Sequence, residues 1–152
     1  LDRKPVWTGF LTWTRRLMEP LVQRTIRTVG GSDENVTRYA EALPFCHSIF
    51  ADMGRYSGRS GIANLSYSLP SGRPVFRAVT SWRYGKDGFL SEIREQVGTR
   101  RPAFVNGFVH CWTFTMDDLA RIYEQRDPDM VFVTPSQLAQ LYREAQTKGW
   151  SK

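Results

Sequence analysis

The chain reads as a single α/β domain with a largely parallel sheet and flanking helices. Short apolar runs bounded by turn residues alternate with amphipathic stretches of about ten residues, the pattern of βαβ units. The polar, glycine-rich connections follow the apolar runs, as loops do at the ends of parallel strands. At 152 residues, 41% of them hydrophobic and 24% charged, the chain is long enough to bury a core and too apolar to stay unfolded.

Taken in order, residues 6–13 (V-W-T-G-F-L-T-W) are β-branched and aromatic and predict a first strand. Leu17, Leu21, Ile26 and Val29 recur at helical spacing, so residues 15–29 predict a helix. Pro20 marks a boundary or kink in it, and Gly30-Gly31 stops it. Ser32 is placed to cap a second helix ending near Ala42, with Asp33 and Glu34 suited to its N-terminal dipole. Residues 46–52 form a short buried strand, and residues 75–79 another after the turn Pro70-Ser71-Gly72. Asp87 is placed to cap a helix over 88–97, and 103–112 predict a strand with Pro102 at its start. Thr115 and Asp118 have capping-box spacing and open a helix over 116–124. Residues 130–134 predict a last strand, and Pro135 begins a helix over 137–146. Five strands are too few for a closed eight-stranded barrel. The sheet is therefore either a free-standing domain over 1–152 or the C-terminal part of a larger (β/α) barrel-like catalytic domain.

The formal net charge is +6, carried mainly by scattered arginines. Only Arg15-Arg16 and Arg100-Arg101 are adjacent, and no helix-turn-helix or aromatic RNA-binding motif accompanies them. Nucleic acid is therefore not the expected partner. Guanidinium groups grip carboxylates equally well, so an acidic sugar also suits this composition. No apolar run is long enough to span a bilayer, and no signal peptide opens the chain. The start at Leu1 rather than Met suggests a piece of a longer protein. Cys46 and Cys111 lack ligand-spaced partners and read as buried free thiols, not a zinc site.

The richest segment for function runs from Asp52 to Trp82, where a buried run ends in a carboxylate and opens into a Gly/Ser/Arg/Tyr loop. Gly54, Gly58 and Gly61 have the wrong spacing for a dinucleotide fingerprint, and Ser81 stands where that fingerprint wants an acid. No phosphate loop, nucleophile elbow or H-E-x-x-H occurs. Glycosidic hydrolysis needs two carboxyl groups. Asp87, Asp117 and Asp118 have helix-capping duties, and most of the acids along the helices should be solvated. Asp52 alone closes a buried strand, either as a functional acid or as a turn-forming or Arg-paired one. His110, after an apolar run, is either a satisfied strand-end histidine or a proton carrier. Tyr56, Trp82, Tyr84 and Trp112 fall at or past strand ends, where they either stack on sugar rings or close the core.

Beyond these readings, D-M-G-R-Y-S-G-R-S-G-I, S-G-R-P-V-F-R-A-V-T-S-W, P-A-F-V-N-G-F-V-H-C-W-T-F-T-M-D-D-L and V-F-V-T-P-S-Q-L-A-Q-L-Y follow one another in a recognisable order. The chain resembles, from Asp52 to Tyr142, the C-terminal region of the glycoside hydrolase family named for a GxGYxYP motif. The naming motif itself is absent, as expected of a C-terminal portion. The resemblance implies a carbohydrate substrate, no cofactor or metal, an extracellular or periplasmic location and a longer parent chain. On that footing Asp52 and His110 are the candidate catalytic residues, and Arg55, Tyr56, Trp82 and Trp112 the candidate substrate-binding ones. The portion alone should be inactive, its second carboxylate lying elsewhere in the parent. The alternatives are a non-catalytic carbohydrate-binding or interaction module, or a polysaccharide-deacetylase-like domain. His110 and the run from Phe132 to Leu138 loosely match the close of the latter.

Overall fold

A computed structural model describes residues 4–22, 27–32, 40–52, 66–80, 85–99, 102–109 and 112–150. The elements are α1 (Lys4–Val22), β1 (Thr28–Ser32), β2 (Ser48–Asp52), β3 (Ser66–Ser68), β4 (Pro74–Thr80), α2 (Phe89–Val97), β5 (Asn106–Phe108), α3 (Met116–Glu124) and α4 (Pro135–Thr147). Together they make the expected mixed α/β domain. The strands pair in the order β1-β2-β4, and the far edge of β4 is shared. Its first half, Pro74–Phe76, pairs antiparallel with β3, and its second half, Ala78–Thr80, pairs parallel with β5. The β1–β2 and β2–β4 pairings are also parallel. The described strands do not close into a barrel.

Residues along a strand alternate between faces. Val29, Ile49 and Val75 share one face and pack with Ala40, Leu43 and Cys46, with Leu11 of α1 and Phe45 against them. Gly107 falls on the same face by register, and α2 sits over it through Phe89. Phe50 and Phe76 share the other face, covered by Leu138, Ala139 and Tyr142 of α4. There Phe76 meets Phe50 at 5.2 Å and Tyr142 edge-on at 5.5 Å between ring centres. Val75 and Phe76, adjacent on β4, are both 0% exposed and anchor opposite layers.

Several sequence expectations need correction. Residues 6–13 are helical, not a strand: Thr8, Leu11, Thr12, Arg15 and Glu19 recur at helical spacing and are half-buried, while Phe10, Trp13, Leu17 and Leu21 are exposed. Apolar residues on both sides of α1 imitate a strand. The described helix spans Lys4–Val22, and Val29, expected at its end, lies with Gly30-Gly31 within β1. A Cβ on Gly30 would meet the Phe50 carbonyl oxygen at 3.4 Å, so the strand's identity comes from its partner β2, not its own side chains. Ser32 is correspondingly the last residue of β1. β3 was not foreseen; it precedes the expected turn, closed by the Gly72 amide donating to the Leu69 carbonyl at 2.8 Å with Gly72 at φ 81°. Among the described residues of the strand expected over 103–112, Asn106–Phe108 pair, and 130–134 reach α4 without joining the sheet.

Other expectations hold. β2, β4, α2, α3 and α4 fall where the pattern puts them, with Thr115 capping α3 and Pro135 in the first turn of α4, whose N-cap is Thr134, a residue the sequence placed in a strand. Cys46 is a buried free thiol whose Sγ donates to the Ser48 carbonyl at 3.3 Å, and burial pushes its pKa up. Cys111 lies outside the described residues.

A Cβ on Gly107 would stand 2.8 Å from Cζ of Phe89, itself buried and held edge-on to Phe114 at 5.9 Å. Gly107→Ala should therefore cost about 1–3 kcal/mol in denaturant unfolding, the usual penalty for overpacking. Adding Phe89→Leu should recover part of that loss; strictly additive losses would refute the contact.

Candidate functional site

Parallel pairing gathers the strand ends. Ser32 pairs with Asp52, and Thr80 with Phe108, so β1, β2, β4 and β5 all finish at one edge of the sheet. The connections after Asp52, Thr80 and Phe108 leave from that edge, where open α/β sheets carry ligands. Asp52 is the last residue of β2, an interior strand flanked by β1 and β4. Its backbone is described and its side chain is not. Arg55, Tyr56, Trp82, Tyr84 and His110 lie outside the described residues. Trp112, in the connection between β5 and α3, is 76% exposed. That exposure decides one alternative: Trp112 does not close the core.

A charged cluster missed by sequence reasoning joins the β4–α2 turn to the start of α3. The Lys86 ammonium donates to Asp118 Oδ2 at 2.7 Å, and the Arg121 guanidinium to Asp118 Oδ1 at 2.6 Å. The Thr115 amide and hydroxyl donate to Oδ2 at 2.9 and 2.8 Å, and the Asp118 amide returns to the Thr115 hydroxyl at 3.2 Å. The Thr-x-x-Asp spacing announces the capping box; nothing local announces Lys86. The Lys86 bond above all, then those from Thr115, hold the Asp118 carboxyl well below the usual carboxylate range. Asp118 is a structural acid that stays ionised near neutrality and has no proton to donate there.

Asp87 does not cap α2 as its position suggests. Gly88 is the N-cap and makes no side-chain cap bond. The Asp87 side chain is 90% exposed, with Arg121 at 3.6 Å. Glu92 also departs from expectation, being a buried helix acid rather than a solvated one. Among the described residues no group of three or more His, Cys, Asp or Glu could hold a metal ion. Nor is any described helix long and apolar enough to cross a membrane.

With this edge defined, the comparison with known families is decisive. The model of the GxGYxYP putative glycoside hydrolase C-terminal domain matches residues 3–143. The chain belongs to this family. No curated protein and no solved structure matches it. The match extends the resemblance read from residues 52–142 to nearly the whole chain and includes α1.

A carboxyl with a depressed pKa stabilises the fold above its ordinary titration range and loses that effect as pH falls through the folded value. The melting-temperature gap between the native protein and Asp118→Asn should therefore stay constant from pH 7 to about pH 5 and narrow progressively below about pH 4 as the pH falls toward the depressed folded value. A gap that does not narrow at all between about pH 4 and pH 2 would show that Asp118 acts by shape and not by charge.

Proposed function

We propose that this domain contributes the strand-edge part of a glycoside hydrolase site acting on an oligo- or polysaccharide. The observation that carries the reading is Asp52 at the C-terminal end of an interior parallel strand, in a chain of a glycoside hydrolase family. Hydrolysis of a glycosidic bond needs one carboxylic acid to protonate the leaving oxygen and one carboxylate as nucleophile or base, about 5–9.5 Å apart. In this reading Asp52 is one of the pair or orients the substrate. His110 and Arg55 bind hydroxyls or a uronate, and Tyr56, Trp82 and Trp112 form a stacking platform. Asp118 is excluded from the pair because its charge is already committed to Lys86, Arg121 and Thr115. The second carboxyl would come from the preceding part of a parent chain.

A non-catalytic binding module is the second reading, favoured by the exposed indole of Trp112. The two are separated by a polysaccharide panel scored for both binding and release of reducing ends. The hydrolase reading expects binding by the domain, no release by the domain alone, and release by the parent protein that Asp52→Asn abolishes. Trp112→Ala should weaken binding by about 0.5–1.5 kcal/mol, the worth of an aromatic stacking contact. Full release by the Asp52→Asn parent protein would favour the binding module, and no binding to any polysaccharide would overturn both.

A further inference from the structure

We propose that a groove between α1 and the turn at 42–44 is a second saccharide site, one that takes an acidic sugar unit such as a uronate. The inference rests on the carbohydrate-directed reading above but uses none of the same residues. The groove has a volume of about 490 Å³, within the ~300–1,000 Å³ typical of small-ligand clefts. It lies away from the strand edge: the turn at 42–44 leads into the start of β2, and Asp52 ends that strand, on the order of 13 Å farther along at ~3.3 Å per residue.

Its lining has the two chemistries that an acidic pyranose needs. Trp13 is 59% exposed, with Phe10 beside it at 6.3 Å between ring centres, so an indole ring is open to the C–H face of a sugar. Arg16, one turn further along α1, is exposed and pairs with no carboxylate among the described residues. Its neighbour Arg15 is spent, donating to Glu19 at 2.8 Å and lying 4.7 Å over the Phe45 ring. A guanidinium fork with no acid partner among the described residues is suited to a bidentate carboxylate from a ligand. The Thr12 hydroxyl donates to the Thr8 carbonyl at 2.8 Å, which leaves its oxygen able to accept from a sugar hydroxyl. Gly9 also lines the groove, and a Cβ there would meet nothing within 4 Å. Packing therefore does not demand this glycine, although glycine inside a helix costs about 1 kcal/mol relative to alanine. Its effect is to leave the groove unfilled beside Trp13.

The test is calorimetric titration of the protein with a trigalacturonide, with a neutral trisaccharide as the control. The uronide should bind more tightly than the neutral sugar, and Arg16→Gln and Trp13→Ala should each weaken it tenfold or more. Gly9→Leu should block the groove while leaving the melting temperature unchanged or raised, which separates lost binding from lost fold. Uronide binding unaffected by all three variants overturns the groove site; if Trp112→Ala abolishes it instead, the strand-edge reading stands alone. Failure of the uronide to bind overturns this groove site, while the carbohydrate-directed reading falls only if the polysaccharide panel also fails to bind.

Discussion

β4 has two edges and three neighbours, and most of the domain follows from how it accommodates them. Its inner edge pairs with β2, while its outer edge is divided between antiparallel β3 and parallel β5. Pro74, which has no amide hydrogen to donate, stands at the first position of the strand, where the loss is tolerated. Val75 and Phe76 then serve opposite layers, so one dipeptide ties α1 and the turn at 40–46 to α4 through the sheet. The antiparallel half and the turn at Gly72 let the chain return into β4 from the side that β5 later occupies. The parallel half keeps the outgoing connections of β2, β4 and β5 on one edge. A site at that edge therefore depends on β4 holding three pairings in a single register.

Charge reinforces the same geometry at the helix entrances. α2 follows β4 and α3 follows β5, and Lys86 before the first helix is locked to Asp118 in the first turn of the second. Arg94 near the end of α2 clamps Asp127 beyond α3 through Nε at 2.9 Å and an NH₂ group at 2.8 Å. The two helices are thus fastened near both ends, with Phe89, Ile93, Phe114 and Ile122 buried in the cluster between them. Ion pairs of this kind, half-exposed and geometrically constrained, specify arrangement more than they add stability.

Local signals of the sequence were read correctly wherever one residue decides the outcome. Thr115 and Asp118, Pro135, and the apolar spacing of Phe89, Leu90 and Ile93 all report on their own helices. The readings failed where the outcome belongs to a distant partner. Gly30-Gly31 look like a helix stop until Phe50 and Ala51 pair with them. Residues 130–134 look like a strand but find no ladder partner, and Asp87, expected to cap α2, lies instead 3.6 Å from Arg121 of α3. α1 misled for a different reason, because apolar residues on its inner and outer sides blur a helical period into a strand-like run. The same double-sidedness hid Trp13 and Arg16 as surface features. Of the candidate site, the position of Asp52 was legible because a buried strand ending in an acid is a local pattern. Lys86 at Asp118 was not, since that contact spans 32 residues.

The net charge of +6 looks different once the partners of the basic residues are known. Arg73 donates to the Ala40 and Glu41 carbonyls at 2.7 and 2.6 Å, tying the β3–β4 turn to the chain before β2. Arg15, Lys86, Arg94 and Arg121 hold carboxylates, and Arg77 and Arg126 lie over the rings of Tyr67 and Tyr123. Much of the positive charge among the described residues is therefore committed to internal contacts. A polyanion surface needs guanidinium groups whose counterions a ligand can displace. A cation already bonded to a protein carboxylate or carbonyl gives little of that release. Arginine here is primarily a planar, multivalent connector of loops and helix ends. An arginine without an acid partner among the described residues, beside an exposed indole, is then more informative than the total charge.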